Sequence, residues 1–305
     1  MESNGDRFAQ DIAALAEAIV ASTPGGEITL VSIARAGTPV GVLLLRRIRQ
    51  IAPRLQTTHY SISVIRDRGA DLAALERILQ SHPPESLRFI DGWTGKGTIA
   101  SELRNSLAQW KKGPRGLNSG LWVPLDVSGV AMTASSNRDY LIPSALLGGT
   151  ISGLVSRSVL PRMSENQPGF HGCVILGHLR RYDLTRWFVD HMAERVSTIA
   201  SAGGAPLSGN DLARQSAASQ CLHAMLNRYR SSDVNRIKLG IGETVRVLLR
   251  RLPKVVLMSP RISRDDGSLI EELAATRGVP VQIEEDLYFS AVAVIDDAGT
   301  KVTKR

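Results

Sequence analysis

The chain has 305 residues, enough for one large or two modest domains with buried cores. Its 43% hydrophobic and 22% charged residues are a globular composition, which excludes a disordered chain. The net charge of +8 points to phosphate-bearing partners such as nucleotides or nucleic acid. Two cysteines, Cys173 and Cys221, are too few for a disulfide scaffold or a four-cysteine zinc site and fit a reducing compartment. No apolar run reaches the roughly 20 residues of a membrane helix. The polar start, Met1 to Asp6, lacks a basic segment followed by an apolar one. The expectation is a cytoplasmic protein without membrane contact.

Phe8, Ile12, Leu15 and Ile19 recur at helical spacing and predict a helix over 8–21. Gly25-Gly26 ends it, and the β-branched run 28–33 predicts a buried strand. A turn over 34–39 leads into a helix over 40–51. The unit then repeats: a strand over 58–65, a charged loop over 66–71 and a helix over 72–81. A short strand over 87–90 runs into a glycine-rich loop, followed by a helix over 99–110 and a strand over 121–125. Alternating strands and helices of this length predict a mostly parallel sheet covered on both faces. In such sheets ligands bind beyond the carboxyl ends of the strands, so the turns at Arg35, Arg66 and Asp91 are expected at one edge. A helix over 187–201 closes this first domain, residues 1–201. The small, turn-rich stretch 202–209 reads as a linker. Residues 210–305 then read as a second α/β domain, with helices over 211–229, 241–251 and 268–277 and strands over 254–258 and 279–283.

The loop Asp91-Gly92-Trp93-Thr94-Gly95-Lys96-Gly97-Thr98 carries the strongest signal. Its glycines let backbone approach a ligand, and the following helix presents amides and a favourable dipole to an anion. Thr94, Thr98 and Lys96 add donors and charge. Asp91 suits ribose hydroxyls or a hydrated magnesium ion. The spacing is neither a Walker loop nor a dinucleotide fingerprint.

An apolar strand, an acid and a Thr-Gly-rich turn before a helix resemble the loop of type I phosphoribosyltransferases that binds phosphoribosyl pyrophosphate (PRPP). The turn Ile33-Ala34-Arg35-Ala36-Gly37 resembles that fold's pyrophosphate loop. The stretch from Ser63 to Gly69 falls where the fold carries a basic, mobile loop. More narrowly, four segments are similar to a phosphoribosyltransferase-like family of bacterial tellurite-resistance and stress operons, whose members are also described as the cysteine protease StiP. They are 32–41, 59–69, 89–97, and 139–144 continuing to 152–157. Members of that family carry further sequence upstream, so the resemblance implies an amino-terminal segment before residue 1. They also carry a Pelota-type RNA-binding domain at the carboxyl end. Here Ile237 to Thr244 resembles the Gly-x-Asn-Glu turn with which such domains grip kinked RNA. Gly92 stands where type I loops have a second acid, and Gly242 where Pelota-type turns have asparagine.

The resemblance implies transfer of a phosphoribosyl group from PRPP with Mg2+. Asp91, Arg66 and Arg68 would be catalytic, with Asp91 also the metal contact. Thr94, Gly95, Lys96, Gly97 and Thr98 would bind the ribose phosphate, and Arg35, Ala36 and Gly37 the pyrophosphate. Tyr140 and Ser144 would line an acceptor pocket. Lys238, Gly240, Gly242, Glu243 and Arg246 would contact RNA. Two other readings compete. One is a cysteine hydrolase using Cys173 with His171 or His178 nearby, although 170–175 reads more simply as the start of a strand with a buried thiol. The other is a non-catalytic nucleotide- or RNA-binding protein. His59, His82, His191 and His223 read as isolated.

Overall fold

The computed structural model describes residues 2–23, 26–149, 155–159, 169–203 and 207–295. Helix α1 (Glu2–Ala21) buries Phe8, Ile12, Leu15 and Ile19, the stripe that its spacing dictates. After it come β1 (Glu27–Ile33), α2 (Gly37–Ile51) and β2 (Gln56–Ile62). A small antiparallel pair, β3 (Val64–Ile65) and β4 (Gly69–Ala70), leads to α3 (Leu72–Leu79). Then follow β5 (Leu87–Ile90), β6 (Trp93–Thr94), α4 (Thr98–Gln109), β7 (Leu121–Asp126) and β8 (Thr133–Ser136). Next are α5 (Pro143–Gly149), the antiparallel pair β9 (Val155–Val159) and β10 (Gly172–Ile175), and α6 (Thr185–Ser197). Residues 150–154, part of the fourth family-like segment, lie outside the described residues.

The central sheet has the order β8-β7-β5-β1-β2, all parallel, and β6 also pairs with β7. Helices cover both of its faces in two apolar layers, one with α1, α2 and α6, the other with α3 and α4. The expected mixed α/β architecture with a parallel central sheet is therefore present. The strand expected over 58–65 ends at Ile62, because the chain leaves the sheet at Ser63 to form the β3–β4 pair. The stretch expected as a linker contributes β11 (Leu207–Ser208), which adds antiparallel to β8; residues 204–206 lie outside the described residues.

The carboxyl-terminal part comprises α7 (Leu212–Arg228), β12 (Ile237–Leu239), α8 (Ile241–Arg250), β13 (Pro253–Met258), α9 (Arg264–Thr276), β14 (Val281–Ile283) and β15 (Ala291–Ile295). Its sheet has the order β12-β15-β13-β14. The central strand β15 is fully buried and has no alternation to betray it.

The two parts share a core. Ile237, Leu239, Phe289 and Val292 belong to the same apolar cluster as Phe8, Leu30 and Phe188. Leu141 and Ala145 of the first part pack among Ile241, Val245 and Leu248 of the second. Asp139 fixes the junction: its carboxylate accepts from the backbone N–H of Ile241 (3.1 Å) and of Ser290 (3.0 Å). Asp266 accepts from Asn4 Nδ2 (2.8 Å), and the Tyr288 hydroxyl donates to the Val127 carbonyl (3.1 Å).

Burial pushes the Asp139 carboxyl up to about 7, against the pull of its two backbone donors. A raised carboxylate pKa stabilises the fold fully below the unfolded value near 3.8, and that stability is lost as pH rises towards 7. Asp139 keeps some solvent access, so the loss is on the order of 1–2 kcal/mol. Urea unfolding should give a lower stability at pH 8 than at pH 5. Asp139→Asn should shrink that difference, and an unchanged difference would show that Asp139 does not report on the junction.

Candidate functional site

The carboxyl ends of the parallel strands gather as the topology requires, and the β12–α8 turn closes over them. Between them lies a cleft of about 530 Å³. From the sheet edge it is lined by Arg35, Arg66, Asp91, Trp93 and the loop Thr94 to Thr98. From the other side come Lys238, Glu243, Arg246, Arg250 and Arg251. Seven cations thus face two carboxylates.

Gly37 begins α2 directly beneath this edge, and a Cβ there would stand 2.4 Å from the Ile90 carbonyl oxygen. That close approach is what lets the 34–37 turn lie against the end of β5. Gly97, at φ +78°, turns the loop into α4 against Val130. The loop also approaches the second part, with Gly95 facing Glu243 and the Leu239 carbonyl.

Asp91 is buried and accepts from the Gly92 N–H at 2.7 Å. Burial pushes its carboxyl up to about 7. Lys96 donates to the Val234 carbonyl, and Arg66 donates to the Asn235 side chain. Burial, then the neighbouring Lys238 and Arg66, holds the Lys96 ammonium down near 8. Glu243 is paired with Arg246 at 2.7 Å, and the Arg246 guanidinium lies 5.8 Å from the Trp93 ring centre.

Several expected site residues are elsewhere or otherwise engaged. Thr94 contributes to the cleft wall, but it is buried and its hydroxyl donates to Asp126. Asp126 also accepts from the N–H groups of Gly129 (2.8 Å) and Ala131 (3.0 Å), so Thr94 belongs to a buried turn network. Arg68 is exposed and does not line the cleft, because the β3–β4 pair carries it past the edge. Tyr140 is buried and donates to Asp11 at 2.6 Å, and Ser144 is also buried, so neither forms an open acceptor pocket. Gly242 packs on Trp93 and Gly240 faces Asp139, which docks the expected RNA-gripping turn against the first domain. The expected isolated histidines have partners: His59 bonds Ser32 (2.8 Å), His82 bonds Tyr60 (2.9 Å), His191 stacks on Trp187 and His223 meets Ser219 (3.4 Å).

For a magnesium ion the donor set is sparse: one oxygen of Asp91 accepts a backbone N–H, Glu243 pairs with Arg246, and the other charged residues lining the cleft are cations. Among the described residues no group of three His, Cys, Asp or Glu side chains could hold a metal.

The thiol environment also departs from expectation. Cys173 is exposed on β10, not buried. Two residues before it, His171 bonds the Ser63 hydroxyl through Nδ1 at 2.5 Å. Its backbone N–H donates to Asp71 Oδ2 at 2.8 Å. Asp71 in turn caps α3 and donates its own N–H to the Ser63 carbonyl. Ser63 and Asp71 were not legible as partners of His171, since they lie 108 and 100 residues away in the chain. Cys221 lies partly buried on α7, and burial raises its thiol pKa.

Residues 1–193 match the family described as tellurite-like stress resistance cysteine protease StiP. Residues 216–297 match the PELOTA RNA-binding domain. The chain is therefore a two-part protein in which a StiP-type domain is followed by a PELOTA domain. It belongs to the StiP family. It is 36% identical over 310 aligned residues to the cysteine protease StiP of Acinetobacter baylyi, covering 98% of this chain and 80% of that protein. No solved structure matches. These matches overturn the phosphoribosyltransferase expectation, because both the family and the relative are named for cysteine proteolysis and nothing points to ribosyl transfer. The PRPP and magnesium expectations tied to that chemistry have no support here. No helix among the described residues is long and apolar enough to cross a membrane.

The Thr94–Asp126 network makes a stability prediction. Removing one hydrogen bond to a charged acceptor costs roughly 1.5–3 kcal/mol, and stranding several buried donors costs more. Thr94→Val should lose about that amount in urea unfolding, with Asp126→Ala losing more. A Thr94→Val protein of unchanged stability would free the hydroxyl for a ligand role.

Proposed function

We propose that the chain is a thiol hydrolase that cleaves peptide bonds, with Cys173 as nucleophile and His171 as its base. One observation carries this reading. Cys173 is the sole cysteine within the family-matched residues 1–193, and it stands exposed beside a histidine whose ring is held by Ser63. In the proposed arrangement the extended chain at the start of β10 carries the thiol and the imidazole, two residues apart, on one face. With Nδ1 engaged by Ser63, Nε2 is the nitrogen left to take the thiol proton. The thiolate then attacks the peptide carbonyl carbon. The imidazolium returns its proton to the leaving amine, and water hydrolyses the thioester. Phe170, Val174 and Ile175 are exposed around the thiol and offer apolar contact to a peptide.

The carboxyl-terminal match supports RNA as a partner of this hydrolase. Lys238, Glu243 and Arg246 are the contacts proposed for it, while Gly240 and Gly242, buried against Asp139 and Trp93, shape the turn that carries them. Thr98, Gly95, Lys96 and Gly97, with Arg35, Ala36 and Asp91, form the facing wall.

Cleavage of casein and of a fluorogenic peptide library checks the hydrolase. Cys173→Ala should abolish turnover and Cys221→Ala should leave it. His171→Gln should lower it by at least about 100-fold and move iodoacetamide alkylation of Cys173 to higher pH. Undiminished cleavage by Cys173→Ala would reject this assignment.

A further inference from the structure

We propose that the cleft is one phosphate site built by both domains, and that it holds the phosphate monoester of a single nucleotide, whether free or at the end of a single-stranded RNA. This rests on the RNA reading above and narrows it.

The first argument is charge. Arg66 and Lys96 reach in from the sheet edge, and Lys238, Arg246 and Arg251 from the other domain. Like charges at such spacing repel: burial first, and then Lys238 and Arg66, hold the Lys96 ammonium down. The two carboxylates relieve this only in part: Glu243 pairs with Arg246 and favours the charged Lys96 and Lys238, and buried Asp91, on a backbone N–H, is the one other acid among the lining residues. An anion between the two walls relieves it. A monoester carries up to about two negative charges near neutral pH, where an internal diester carries one. Lys96 and Arg66 at present spend donors on the Val234 carbonyl and the Asn235 side chain across the cleft. A phosphate in the cleft would take those donors from both domains at once.

The second argument is shape. A volume of about 530 Å³ is that of a small-molecule site. The carboxyl-terminal turn offers a kinked duplex no open glycine edge, because Gly240 and Gly242 are buried against Asp139 and Trp93. Only a narrow ligand reaches the cations. Trp93, part-exposed in the same wall with Arg246 beside it, supplies a ring on which a base can stack.

The test is calorimetric titration of the full chain with hexauridylate bearing a phosphate at one end, the same strand with hydroxyl ends, a blunt RNA duplex, and AMP. The phosphate-ended strand should bind at least about tenfold tighter than the hydroxyl-ended strand and the duplex. Lys96→Gln and Arg246→Gln should each weaken it about tenfold. The double variant should lose less than the product of the two, since both contact one phosphate. Arg35→Gln and Arg251→Gln repeat the test, one per domain, should the first pair unfold on melting analysis. AMP binding as tightly as the strand, with the same variant pattern, would support the shared site and assign it to free nucleotides. Phosphate- and hydroxyl-ended strands of equal affinity, sensitive to Arg246→Gln alone, would overturn the shared site and keep the RNA reading. Absence of binding by every RNA and by AMP would overturn both.

Discussion

The carboxylate of Asp139 holds the two halves of the chain in one arrangement. It lies in the connection between β8 and α5 and accepts N–H groups from Ile241, at the start of α8, and from Ser290, just before β15. Those two elements carry much of the second domain's packing, so one acidic side chain fixes where its basic turn sits. That contact acts together with the apolar core the two parts share. Docked in this way, Lys238 and Arg246 face Lys96 and Arg66 across the cleft. The cost is a partly buried carboxylate and a cluster of like charges. Such an arrangement is retained at functional sites more readily than in plain packing.

Fold and chemistry part company at the glycine-rich loop. A strand, an acid and a Thr-Gly turn before a helix make an anion cradle in any parallel α/β sheet, and the same cradle serves unrelated reactions. The inference to an anion follows from backbone geometry. The inference to ribosyl transfer needed more: a second acid, free hydroxyls and an acceptor pocket. Gly92 takes the place of the acid, Thr94 is turned onto Asp126, and Tyr140 is locked to Asp11. The family match to cysteine proteases agrees with those negative details better than with the loop's general form.

The parallel sheet was legible because its strands are short β-branched runs between amphipathic helices, and Phe8, Ile12, Leu15 and Ile19 show the period directly. The edge that gathers Arg35, Arg66 and Asp91 follows from topology alone. Strand β15 was not legible, since Ala291 to Ile295 is a uniformly apolar run whose partners lie far off in sequence. Nor was the exposure of Cys173. A cysteine beside apolar residues reads as core, and only the hairpin formed with β9 turns Cys173, Val174 and Ile175 outward. The partners of His171 were illegible for the same reason, because contacts spanning about a hundred residues leave no local pattern.

The thiol hairpin and the cleft nonetheless share a support. Ser63, which holds the His171 ring, and Arg66, which reaches Asn235, stand three residues apart where the chain leaves β2 for β3. Ser63 is buried and pinned by its carbonyl to Asp71, whereas Arg66 is exposed and donates to the Asn235 side chain. A change at Arg66 perturbs both places, through the cleft charge and through the segment that positions Ser63. Lys96 and Arg246 lie outside that segment, so their effects report on the cleft alone. The separation follows from where the sheet ends: β2 stops at Ile62, and what lies beyond is shaped by side chains rather than by the ladder.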